Sequence, residues 1–100
     1  MLLQKSYNKG DVVSFKLNNG EEVITRIDEE NIDHYTLNKP MVLIPGPNNS
    51  LGLAPMMFSI EPKDLVRLNK QSIAMHAKTV QEIANQYLQQ TTGIAIAKTL

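Results

Sequence analysis

The sequence predicts a small, mainly β domain followed by one C-terminal helix. Three observations carry this: apolar and polar residues alternate from Asp11 to Leu17, Asn18-Asn19-Gly20 follows directly, and helical spacing appears only in the last quarter. One hundred residues with 42% hydrophobic and 20% charged side chains suit one globular core, not two, and exclude a disordered or fibrous class.

In the first strand Val13, Phe15 and Leu17 alternate with Ser14 and Lys16, a period of two with one wet face. Asn18-Asn19-Gly20 tolerates positive φ and turns the chain into a second strand from Glu22 to about Asp28, with Val23, Thr25 and Ile27 on one face and Glu22, Ile24 and Arg26 on the other. A third strand is expected from Ile32 to Leu37, resuming as Met41 to Ile44 beyond Pro40, where the missing amide demands a bulge, kink or edge. Pro45 to Ser50 is an exposed connection of turn formers. Leu51 to Ile60, apolar almost throughout, suits a fourth strand that is covered on both faces or paired between subunits. Glu61-Pro62-Lys63 turns into a last strand from Asp64 to Leu68, with Leu65 and Val66 on opposite faces.

From Ser72, a natural N-cap, Ile73, Val80, Ile83 and Tyr87 form one helical stripe with Ala77, Ala84 and Leu88 beside it, and Thr91-Thr92-Gly93 stops the helix. The expected organisation is a β unit over 1–70, an amphipathic helix over 71–92 that docks on the β unit or a neighbour, and a tail over 93–100.

Ten basic and ten acidic residues cancel, so long-range attraction to duplex nucleic acid or anionic lipid is not expected, and self-association is not opposed by charge. The absence of cysteine excludes disulfides and thiolate chemistry and suits a reducing compartment. The apolar stretch at Met1 to Lys5 is short for a signal peptide, and Met41 to Ile44 and Leu53 to Phe58 are far short of a membrane span. A cytoplasmic location, the host cytoplasm for a viral chain, with no membrane partner is therefore expected.

The hairpin Phe15-Lys16-Leu17-Asn18-Asn19-Gly20-Glu21-Glu22-Val23, continued through Thr25, Ile27 and Tyr35-Thr36-Leu37, resembles the first signature motif of the Sm-like (LSm) family. The resemblance implies a five-stranded, strongly bent antiparallel barrel of SH3 type that assembles into a homo-oligomeric ring. It also implies an interface in which Leu53, Met56, Phe58 and Ile60 of the fourth strand meet Leu65 and Arg67 of the next copy. An apolar edge strand invites pairing on physical grounds as well. The resemblance sets His34 where the family has a base-contacting asparagine and Ile32 where it has a base-stacking side chain, and Glu61-Pro62 replaces the family's arginine-glycine pair between the last two strands. Thr25 stands where the family commonly has glycine.

Single-stranded RNA held through Asn31, His34 and Lys63 is one expectation; a structural or protein-interaction ring whose C-terminal helix docks a partner is the other. A monomeric barrel of SH3-like or OB type is a third. The plainer reading of the His34-Tyr35 pair buries Tyr35 and leaves His34 wet. Six of the ten acidic residues lie between Glu21 and Asp33, in a pattern that matches no calcium loop and reads as a solvated turn, so no cofactor or metal is expected. His76 reads as a rim or partner-facing residue of the helix, and Met41, Met56, Met57 and Met75 as core filling. With no serine or threonine set beside a base and an acid, and no phosphate-binding glycine loop, a non-enzymatic module is expected.

Overall fold

The computed structural model describes residues 3–92. The expected tail over 93–100 lies outside them. Six strands, β1 (Val12–Leu17), β2 (Glu22–Glu30), β3 (His34–Pro45), β4 (Leu51–Pro55), β5 (Leu65–Asn69) and β6 (Ile73–Lys78), precede one helix, α1 (Gln81–Thr92). The strands form a bent antiparallel sheet in the order β4-β3-β2-β1-β6, with β5 pairing the first half of β3.

The β1–β2 hairpin follows the alternation predicted for it. Gly20 holds φ at 93°, its amide donates to the Leu17 carbonyl at 2.9 Å, and the Glu21 amide donates to Asn19 Oδ1 at 2.9 Å. Val13, Phe15, Val23, Ile27 and Leu37 are fully enclosed, and Tyr7, Leu17, Tyr35 and Leu68 complete this core. Tyr35 thus packs inside, as in the plainer reading.

β2 is buried on both faces, Val23, Thr25 and Ile27 on one and Ile24 on the other. Ile24, Met41 and the fully buried Tyr87 make a second cluster beneath α1, joined by Leu43, Ile83 and Leu88. The reason lies in the helix: an amphipathic α1 needs an apolar seat, and the outer face of β2 and β3 supplies it.

The third strand is one element, not two. Opposite Thr25 of β2, β3 carries two residues, Lys39 at φ 54° and Pro40, so the register shifts between Ile24 and Arg26. A second shift between Ile27 and Glu29 bends the sheet again. The first bulge removes ladder partners from the Asn38 and Lys39 carbonyls. Tyr87 Oη lies 2.8 and 2.7 Å from these two oxygens, shares its one proton between them, and accepts the Arg26 amide at 3.1 Å. Thr25 Oγ1 also reaches the Asn38 carbonyl, at 3.2 Å.

Two expectations are corrected. The strand predicted to run to Ile60 ends at Pro55; the Met56 amide makes a last bond to the Pro40 carbonyl at 3.1 Å, and the chain then leaves the sheet through a connection running to Asp64. The helix predicted from Ser72 begins at Gln81, and residues 73–78 form the sixth strand. Ala74, Met75, Ala77 and Lys78 favour a helix locally, but β1 needs a partner on its second side, and pairing with β6 supplies it. No ladder joins β5 to β6 among the described residues, and a 3-10 turn at Lys70–Ser72 links them.

Candidate functional site

The expected nucleic-acid residues do not share one place. Asn31 and His34 sit in the β2–β3 turn, where His34 faces Asn69 across the β3–β5 ladder. Leu65 at the other end of that ladder faces Asn38, and Lys63 precedes it by two residues, so roughly 13 Å of ladder separates His34 from the Lys63 end. Glu61-Pro62 lies between the fourth and fifth strands, as the sequence reading has it, and the unexpected sixth strand adds a further connection, Lys70–Ser72. This connection meets the Asn31 turn directly, the Lys70 amide donating to the Asp33 carbonyl at 2.9 Å.

The turn is held by its own side chains. His34 Nδ1 lies 2.6 Å from Asp33 Oδ1 and His34 Nε2 lies 3.1 Å from Asn31 Nδ2, an arrangement satisfied by a neutral ring that donates to the carboxylate and accepts from the amide. The hydrogen bond from His34 holds the Asp33 carboxyl below its ordinary value. Asn31 also donates to Glu29 Oε1 at 3.0 Å. Ile32 projects from the same turn with 64% of its surface exposed, the one large apolar group there available for stacking.

Lys70 stands beside this turn with its charge engaged. Its ammonium donates to Glu30 Oε2 at 2.9 Å and lies 5.0 Å from the centre of the Tyr35 ring. Glu30 is buried, and its other oxygen accepts the Ser6 amide at 2.8 Å and the Tyr7 amide at 3.3 Å. Burial pushes the Glu30 carboxyl up, but the Lys70 ammonium and the two amides outweigh it and hold the carboxyl below its usual range. The acidic run is thereby dispersed: Asp28 meets Lys9 at 3.6 Å, Glu21 meets Asn19 at 3.0 Å, and among the described residues no three histidine, aspartate or glutamate side chains group as metal ligands.

The sheet edges complete the candidate surface. On β5 the Lys70 bond to Asp33 sets the alternation, so the backbone groups of Leu65, Arg67 and Asn69 point away from β3. On β6 the Thr79 amide donates to Val12 at 3.1 Å, which turns the amides of His76 and Lys78 away from β1. Neither edge is paired among the described residues. Five of the six β6 residues are exposed, including Met75 at 65%, which is a strand standing at the rim and not core filling. β4 differs: Gln86 Nε2 donates to the Leu51 carbonyl at 3.1 Å and Gln90 Nε2 to the Leu53 carbonyl at 2.9 Å, so the helix caps that edge.

No family model matches this chain, and no curated protein matches it. The site is therefore read from its own geometry. Of the expected interface residues, Leu65 and Arg67 lie on the open β5 edge; Leu53 and Met56 are half-buried at and just beyond the capped strand; Ile60 is half-buried and Phe58 83% exposed in the connection. Sequence reasoning missed β6 as an edge and His76 as a strand residue whose Nδ1 lies 2.7 Å from Tyr7 Oη. The available signal was the lack of a second partner for β1.

Proposed function

We propose that this chain is a ring-forming Sm-like binding module in which β5 of one copy pairs with β6 of the next, head to tail, until all edges close. The single observation that supports it is the pair of open edges, one at each side of the same bent sheet, while the third edge is capped from within. Unpaired edges invite strand addition, and heterologous pairing that closes on itself leaves none. Leu65 and Arg67 keep the interface role expected of them, and Met75, His76 and Lys78 take the role given to the fourth strand.

The ligand we propose is single-stranded RNA, bound weakly at each Asn31–His34 turn with a base against Ile32, the sites adding through avidity around the ring. Lys63 is not needed for this. A second reading, a ring that docks protein through α1, is favoured by one observation: the Lys70 charge nearest the turn is spent on Glu30.

Light scattering tests the ring. The expected mass is a discrete multiple of 11.2 kDa, and Lys78→Pro, which deletes an outward amide, should return it to one chain with an unchanged circular dichroism spectrum. A single-chain mass for the unaltered protein would sink the proposal. Fluorescence titration with uridine-rich and adenosine-rich oligonucleotides at low salt separates the ligands; absence of binding removes RNA and leaves the protein-docking reading.

A further inference from the structure

A cleft of about 400 Å³ opens at the opposite end of β5 from the Asn31 turn. Met41 of β3 and Met57, Phe58 and Ile60 of the connection give it an apolar wall, and Phe58 at 83% and Met57 at 43% leave large apolar surface uncovered there. Such surface concentrated in a concavity marks a seat for an apolar group. The same cleft is lined by Glu61 and Asp64, both exposed. One tight turn holds the two acids: the Asp64 amide donates to the Glu61 carbonyl at 2.9 Å, and the Glu61 amide donates to Asp64 Oδ2 at 3.3 Å. No cation is paired with either carboxylate among the described residues. Lys39, the one base on the lining, is turned to the end of α1, where its ammonium donates to the Thr91 carbonyl at 2.8 Å.

We infer that this cleft docks a segment of a partner protein that presents arginine among apolar residues. Charge complementarity selects that occupant. The lining sets two carboxylates against one ammonium already engaged by the helix end, so an acidic segment or a phosphate backbone is repelled. A neutral apolar segment would take both carboxylates out of water and give them no partner. A guanidinium meets both features of the site: its fork matches carboxylate geometry, and its flat face stacks on an exposed aromatic ring, here Phe58. Apolar neighbours of the arginine then cover Met57 and Ile60. The inference stands without the ring and without RNA, since neither reading uses Phe58, Glu61 or Asp64.

The chain has no tryptophan, so a tryptophan peptide reports its own burial when mixed with the full protein. The probe is an end-blocked pentapeptide with leucine at both ends, tryptophan at the centre and arginine at the two positions between; peptides with glutamine or glutamate in place of arginine are the controls. At about 0.15 M salt, emission of the arginine peptide should shift to the blue on titration, with an affinity about tenfold above that of the glutamine peptide and further above that of the glutamate peptide. Glu61→Gln/Asp64→Asn should remove the preference for arginine and leave the glutamine peptide unchanged. Phe58→Ala should weaken the arginine peptide about tenfold. These three side chains are exposed, so both variants should keep the circular dichroism spectrum of the unaltered protein. Equal affinities for the arginine and glutamine peptides, which mark a merely apolar seat, overturn the inference. So does a preference for arginine that survives the loss of both carboxylates, or no shift up to about 1 mM protein.

Discussion

The phenol of Tyr87 does at one point what a ladder does along a strand. It serves three backbone groups at the β3 bulge, and its burial pushes its pKa up, so it stays a neutral donor. Tyr87→Phe keeps the packing, leaves the Asn38 carbonyl to Thr25, and removes the partner of the Lys39 carbonyl and the Arg26 amide, for an expected loss of about 2 kcal/mol in urea unfolding with the helix signal unchanged. Glu30 is the other decisive residue. Tyr35, pushed up to about 12 by burial and then by the Glu30 charge, stays neutral beside it. The folded-state pKa of Glu30 lies below its unfolded value, so the stability it contributes is complete above about pH 4.3 and fades as pH falls through the lower folded value. Unfolding midpoints measured from about pH 6 to pH 2 should therefore fall less steeply for Glu30→Gln than for the unaltered protein. At neutral pH the same substitution should cost about 2 kcal/mol, the scale of a hydrogen bond to a charged group.

At the scale of elements, α1 acts on the sheet twice. Its buried face, Ala84 and Tyr87 with Ile83 and Leu88 beside them, seats on Ile24 and Met41, and its exposed Gln86 and Gln90 fill the carbonyls of the β4 edge. Four residues apart, the two glutamines share one helix side and match carbonyls two residues apart on the strand. A Gln86→Ala/Gln90→Ala variant should lose only about 1 kcal/mol, since these bonds are solvent-exposed, yet exchange amide hydrogens faster through residues 51–55 in mass spectrometry. The stripe of Ile83, Ala84, Tyr87 and Leu88 was legible as a helix face, while Val80, expected in that stripe, lies before α1 with 61% of its surface exposed. The start of the helix was not legible, because Ser72 caps well in principle and residues 73–78 hold good helix formers, while the need of β1 for a partner appears only when the sheet is assembled.

At the scale of the whole molecule, backbone pairing between edges and charge-driven binding respond differently to salt. The protein carries no net charge, so a ring built from β5 and β6 should keep its mass from about 0.05 to 0.5 M salt in light scattering, while bound oligonucleotide should be released over the same range. A mass that falls with salt would place the interface on side-chain ion pairs instead. The turn at Asn31 lies at one end of the β3–β5 ladder and the apolar cleft at the other.

The sequence by itself determined the antiparallel β character, the Asn-Asn-Gly reversal, the burial of Val13, Phe15, Val23 and Ile27, and the presence of a C-terminal amphipathic helix. All of these follow from local periodicity and turn chemistry, which operate over a few residues. Pro40 also announced the bulge in the third strand. Only the tertiary structure decided that residues 73–78 are a strand, that Tyr87 repairs the bulge, that Lys70 belongs to Glu30, and that Asn31 and His34 stand beside Lys70–Ser72 and away from Lys63. The Lys70–Glu30 and Tyr87 bonds join residues 40 to 61 positions apart, and the sixth strand sets one edge against the demand of another; no window of sequence carries that information.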